Sequence, residues 1–114
     1  MESAVNEKEL SMVSLDGLEY LPGGEILLKA LHSFNLGQWE TEQALLVSLY
    51  TRRLASVGIT IPKSGLPPLS IKLKLYEKLS SRSPDPYAEF KAIEQRLLKL
   101  LTYLEREFWL KQIG

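Results

Sequence analysis

Residues 85–112 decide the fold, and they read DPYAEFKAIEQRLLKLLTYLEREFWLKQ. Asp85 is a favoured N-cap, because its carboxylate can accept a hydrogen bond from a backbone N–H that has no helical partner. Pro86 suits the first helical position, where a missing N–H costs nothing. No glycine or proline follows until Gly114. The stretch therefore predicts one continuous helix, about 40 Å long at a rise of about 1.5 Å per residue.

The apolar band of this helix is wide. Residues at helical spacing form its main stripe: Phe90, Ile93, Leu97, Leu100, Leu101, Leu104 and Phe108. Leu98, Trp109, Leu110 and Ile113 extend the band beyond one face, whereas a helix that buries one side carries a narrower band. The width favours burial against the chain's own core and against a second helix. Leu98, Leu101, Phe108 and Trp109 are the candidate interface residues. A central helix surrounded by the chain's own shorter neighbours explains the width at least as well.

Glycine and proline residues divide the rest of the chain. Pro22-Gly23-Gly24, Gly37-Gln38 and Gly58 separate stretches whose apolar residues keep helical spacing. The link at Gly37 is so short that the helices on either side are expected to be antiparallel neighbours. The prediction is an all-α fold, a small antiparallel bundle of four main helices centred on the last one. These helices are 25–36, 39–57, 68–81 and 85–112.

Residues 69–75 fit two structures. Their apolar residues alternate strictly, as in a half-buried strand, yet Leu69, Leu73, Tyr76 and Leu79 also keep helical spacing. Pro68 is compatible with a first helical turn, and no convincing partner strand occurs elsewhere. We therefore predict a helix here, with the strand as the alternative.

The N-terminal segment is expected to be irregular. Residues 1–11 are polar and expected to be frayed. Leu15, Leu18 and Leu21 are expected to pack on the core, with a small hairpin turning at Asp16-Gly17 as the lesser alternative. The whole chain, 1–114, is predicted to be one domain.

Composition bounds the function classes. The chain has 114 residues, 45% of them hydrophobic, and no cysteine, so disulfides and thiolate chemistry are excluded. It carries no signal-peptide pattern and no apolar run long enough to cross a bilayer, so a cytoplasmic protein without membrane contact is expected.

Charge is distributed unevenly although the formal net charge is +0. Residues 1–51 are acidic and residues 52–82 are basic, and this contrast is the least ordinary feature of the sequence. The basic segment could form an anion or nucleic-acid binding patch. Neutralisation of the acidic half, within the chain or across a dimer, is the favoured explanation. The candidate anion-binding residues are Arg52, Arg53, Lys72, Lys74, Lys78 and Arg82.

No motif carries a recognisable chemistry. His32 is the only histidine and has no acidic residue three or four positions away, so a catalytic or metal-binding role is not favoured. Glu40 and Glu42 lie in the first turn of a predicted helix, where negative charge interacts favourably with the helix dipole, so they do not indicate a site. The Gly23-Gly24 turn lacks the pattern of a phosphate-binding loop, and Glu25 would repel a phosphate. No cofactor and no metal site are predicted, and an enzyme is the least favoured class.

The expected function is that of a small helical protein-protein interaction or scaffold protein. Its expected partner is a second copy of this chain, giving a homodimer, or another protein. Nucleic acid is the alternative partner, through residues 52–82. The first interpretation depends on the wide apolar band of the long helix, and the second depends on the basic segment.

Overall fold

The computed structural model describes residues 17–62 and 65–113, with side chains as far as Lys111. Within these ranges the chain forms helices and no strand, and the all-α prediction is confirmed. A short 3-10 helix, Leu18–Tyr20, precedes the α-helices. The α-helices are α1 (Gly24–Asn35), α2 (Glu42–Ser48), α3 (Thr51–Ser56), α4 (Pro68–Ser80) and α5 (Pro86–Ile113).

Helix α5 is one continuous element of 28 residues, as its sequence predicts. The Asp85 carboxylate accepts a hydrogen bond from the Ala88 backbone N–H at 3.1 Å, so Asp85 caps the helix. The helix contacts α1, α3 and α4. No helix in the part of the chain that the structure describes is long and apolar enough to span a bilayer.

The helix predicted over 39–57 is wrong in its continuity, because it divides into α2 and α3 at Leu49 and Tyr50. At the break, the Leu49 and Tyr50 N–H groups donate to the carbonyls three residues back, on Leu46 and Val47, at 3.1 and 2.9 Å. The Ser48 hydroxyl donates to the Ala44 carbonyl at 2.7 Å, and the Thr51 hydroxyl donates to the Ser48 carbonyl at 2.9 Å. Such local side-chain bonds compete with the helical ladder, and the chain can therefore turn here.

Helix α2 begins at Glu42 rather than Trp39 because Thr41 caps it. The Thr41 hydroxyl accepts a hydrogen bond from the Ala44 N–H at 3.1 Å and donates one to the Ser33 hydroxyl at 3.0 Å. Ser33 in turn donates to the Lys29 carbonyl at 2.9 Å. This chain of hydrogen bonds connects the end of α1 to the start of α2.

Residues 69–75 are helical and lie within α4, so the helix prediction is confirmed. Ile71, Leu75 and Leu79 face the core and are buried. Leu69 and Leu73, at 67% and 58% exposure, face solvent. The apolar residues that alternate in sequence are thus separated onto two faces of one helix.

The core includes four consecutive residues of α2, Ala44 to Val47, each at most 2% exposed. Four consecutive buried residues indicate that α2 is covered on all sides, because an amphipathic surface helix would expose every second or third residue. Helices α1 and α4 both contact α2. Leu97, Leu100, Leu101 and Leu104 complete the core from α5.

The chain before α1 packs closely against the bundle. Leu18 is buried, as predicted, and Leu21 packs partly on the core. The Gly24 backbone lies against the Leu18 carbonyl, and the Gly23 backbone lies against the Arg96 carbonyl of α5. The predictions for residues 1–11 and Leu15 concern residues outside the described ranges. The same holds for Asp16, the first residue of the alternative Asp16-Gly17 hairpin turn.

Candidate interaction surfaces

The C-terminal third of α5 exposes large apolar side chains. Leu104 is the last of its core residues, and the next helical positions have less of the protein beneath them. Trp109 is 63% exposed, Leu110 50% and Tyr103 43%. Tryptophan is strongly buried on average, so an exposed one beside a leucine is typical of an interaction surface.

The four predicted interface residues lie in three different environments. Trp109 is exposed, whereas Leu98 and Phe108 are half-buried and pack against the core. Leu101 is 0% exposed, so it is a core residue and offers no surface to a partner. Leu98 and Trp109 are eleven positions apart and therefore share one face of α5. This shared face, called the Trp109 face below, is the part of the predicted interface that remains accessible.

Polar contacts from the α2–α3 junction border the Trp109 face. The Tyr50 hydroxyl donates a hydrogen bond to the Glu94 carboxylate. Burial, together with this hydrogen bond, raises the pKa of Tyr50. Arg53 donates two hydrogen bonds of 2.8 Å to Glu105, from Nε and Nη2. Leu98 lies between these two contacts in sequence, and Trp109 lies one turn beyond Glu105.

The Arg53–Glu105 pair makes stability depend on pH. The hydrogen bonds from Arg53 lower the pKa of Glu105 below its ordinary value. The pair therefore stabilises the fold above the unfolded-state pKa, and this contribution disappears as the pH falls through the lower folded-state pKa. Both side chains are more than a third exposed, at 38% and 36%, so solvent screens the pair.

We expect Glu105→Gln to lower the free energy of unfolding by about 0.5–1 kcal/mol at pH 7 and by less at about pH 3, where protonation of the carboxylate weakens the pair. Urea unfolding of both proteins at the two pH values measures this. Glu77→Gln, at an exposed carboxylate on α4, is the matched control and should change little. A Glu105→Gln deficit of equal size at both pH values would contradict the assignment.

Half of the six candidate anion-binding residues, Arg53, Lys74 and Arg82, pair with carboxylates of the described chain. Arg53 binds Glu105, and Lys74 lies 3.4 Å from Glu40. Arg82 donates to Glu42 at 2.7 and 2.8 Å and to Glu89 at 3.2 Å, and these contacts raise its pKa. The Lys72 ammonium lies 5.5 Å above the centre of the Phe90 ring.

Two of the six candidate anion-binding residues are left without such contacts in the described part of the chain. Arg52 and Lys78 are exposed and form no ion pair to a described carboxylate. Lys63 lies outside the described residues. The six cations therefore do not present one open patch, and two of them, Lys74 and Arg82, pair with Glu40 and Glu42 of the acidic half.

A cavity of about 200 Å³ lies among α1, α2, α5 and Arg82, the second residue after α4. Ile26, Leu46 and Ile93 contribute its apolar lining. The Arg82 contacts described above cross part of its rim, and a hydrogen bond between Arg96 and Glu25 crosses another part. The charged lining of the cavity consists of three carboxylates and three cations, Glu25, Glu42, Glu89, Lys29, Arg82 and Arg96, so the cavity carries no net formal charge.

The remaining sequence candidates occupy ordinary positions. His32 is exposed on α1. The Gly23-Gly24 turn is filled by protein, since an added Cβ at Gly23 would lie 2.1 Å from the Arg96 carbonyl oxygen. The Gly24 N–H donates to the Leu21 carbonyl at 2.9 Å. No group of three or more acidic or histidine side chains among the described residues is arranged to hold a metal ion.

Sequence reasoning missed two exposed surfaces. The first consists of Leu69 and Leu73 on α4. Their exposure depends on which face of α4 packs against α2. The second is a basic face of α5 formed by Lys99, Tyr103 and Arg106. Their spacing of four and three residues is a signal in the sequence, but residues 83–114 hold five acidic and five basic residues, so this face does not stand out by charge.

No protein-family model matches this sequence, and no match is found among curated proteins or solved structures.

Proposed function

We propose that the protein is a helical interaction protein that forms a symmetric homodimer through the Trp109 face of α5. One observation carries the proposal: Trp109 is 63% exposed on the part of α5 that continues past its last buried residue, Leu104. Tryptophan is among the residues most enriched at the energetic centres of protein interfaces.

The local surroundings support a contact at this position. Phe108 packs partly on the core beside Trp109, so the helix is anchored where the tryptophan emerges. Arg53 and Glu105 hold α3 to α5 one turn earlier. An exposed aromatic residue on an anchored helix loses little conformational freedom when it is covered, and this favours binding.

Charge supports a second copy as the partner. The formal net charge of the chain is +0 and its sequence pI is about 6.6, so two copies do not repel each other near neutral pH. A two-fold axis places the same residues of both copies in one interface. Two Trp109 side chains then contribute to the buried area. A stable interface buries about 800 Å² on each partner, so two large aromatic side chains help to reach it.

We expect sedimentation velocity at micromolar concentrations to give a monomer–dimer equilibrium. Trp109→Ala should weaken the dimer at least about tenfold, equivalent to about 1.4 kcal/mol, because an interfacial tryptophan commonly contributes 2 kcal/mol or more. Its melting temperature at monomeric concentration should stay near that of the unmodified chain, since the side chain is mostly exposed.

Tyr20→Ala is the matched control, because Tyr20 is an aromatic residue at 84% exposure and lies outside α5. It should leave the dimer unchanged. A single monomeric species up to about 100 µM, well above the micromolar range of weak specific complexes, would refute self-association. An equal loss of dimer in both variants would refute the role of Trp109.

A further inference from the structure

A basic and apolar face of α5 lies apart from the Trp109 face. Arg96, Lys99, Tyr103, Arg106 and Leu110 are spaced by three and four residues, so they share one side of the helix, and all five are exposed. Arg96 bonds to Glu25. Lys99 and Arg106 form no ion pair to a carboxylate in the described ranges. Tyr103 and Leu110 add apolar surface between and beyond these cations.

The segment just before α1 packs against α5 beside this face. Gly23 packs directly on Arg96 and Leu100 of α5, and Gly24 packs on the Leu18 backbone. Gly17, where the described chain begins, is therefore one short turn away from the α1–α5 contact.

The sequence of residues 1–16 complements the face in charge and polarity. It contains four acids, Glu2, Glu7, Glu9 and Asp16, against the single base Lys8. It also contains Val5, Leu10, Met12 and Val13. Two exposed cations flanking Tyr103 match such a mixture of carboxylates and apolar side chains, because charge pairing orients the contact while apolar burial stabilises it.

We propose that the basic face of α5, centred on Lys99, Tyr103 and Arg106, binds residues 1–16 of the same chain. Length permits this contact. From Arg96 to Leu110 the helix rises about 21 Å, at about 1.5 Å per residue, and sixteen residues reach about 50 Å when extended. An intramolecular contact also benefits from a high effective concentration, so weak pairing suffices to hold the segment. This inference does not depend on the proposed dimer.

Carbodiimide cross-linking of the full chain tests the proposal, because the reagent joins a carboxylate to an amine only where the two are in contact. We expect linkage of Lys99 to Glu7 or Glu9, identified by mass spectrometry after digestion. The Lys74–Glu40 pair, at 3.4 Å, serves as the positive control. Lys78, an exposed lysine on α4, is the negative control and should link to neither glutamate.

Arg106→Glu should reduce the Lys99 linkage to residues 1–16 several-fold, since it reverses one charge of the face and keeps the reacting amine. The Lys74–Glu40 yield should stay unchanged in this variant, which shows that the fold is intact. A mixture of ¹⁵N-labelled and unlabelled protein distinguishes linkage within a chain from linkage between chains. Absence of Lys99 linkage, linkage found only between chains, or a yield unaffected by Arg106→Glu would each overturn the proposal.

Discussion

Gly24→Ala is expected to lower the free energy of unfolding by about 3 kcal/mol, although alanine is the better helix former. A Cβ at this position would lie 1.7 Å from the Leu18 carbonyl oxygen and 2.7 Å from the Leu18 carbonyl carbon. Both atoms belong to backbone and cannot rotate away, so the segment before α1 would have to move. Leu18 is a buried residue at 1% exposure, and displacing it opens the core.

Gly37→Ala separates this steric effect from backbone strain. Gly37 has a φ of +75° and nothing within 4 Å of an added Cβ. Its replacement should cost only about 1–2 kcal/mol, the strain of the left-handed conformation. Urea unfolding of the two variants gives the comparison. If Gly24→Ala costs no more than Gly37→Ala, then the Leu18 backbone does not rest on the start of α1.

Leu75→Ala should cost about 2–5 kcal/mol, whereas Leu73→Ala should cost less than about 0.5 kcal/mol. Leu75 is 0% exposed in the core, and Leu73 is 58% exposed two positions earlier. In a helix, positions two apart point in different directions, so one leucine is buried while the other faces solvent.

The same pair distinguishes the helix from the strand alternative. In a strand, residues 73 and 75 would share one face, and their replacement would have similar costs. Urea unfolding at neutral pH measures both. Ile71→Ala, which truncates another buried residue of α4, should also be costly, and Leu69→Ala should resemble Leu73→Ala. Similar losses at Leu73 and Leu75 would contradict the helical assignment.

The long helix was predictable because its determinants are local. Asp85 and Pro86 define its start, and the absence of glycine and proline keeps it continuous. The break at Leu49 and Tyr50 was not predictable from spacing, because Ser48 and Thr51 are tolerated inside helices. Their hydroxyls bond to local carbonyls at the break, where the Tyr50 hydroxyl also bonds to Glu94 of α5, a residue 44 positions away.

The candidate surfaces were predictable only in part. The width of the apolar band correctly indicated that α5 has more apolar residues than one core face needs. It could not separate Leu101, which is buried, from Trp109, which is exposed, because both belong to the same band. The division depends on where the neighbouring helices end along α5. Likewise, the basic segment is evident in the sequence, but the pairing of Arg82 with Glu42 depends on residues 40 positions apart.

Local features of the sequence specify the all-helical class, the extent of α1, α4 and α5, and the separation of charge along the chain. These properties follow from local hydrogen bonding, helix capping and residue spacing, which act within a few residues of one another. The tertiary structure alone decided which apolar residues are covered and which charges neutralise one another. Burial and ion pairing join residues that are distant in sequence, and their partners are defined only once the helices have packed.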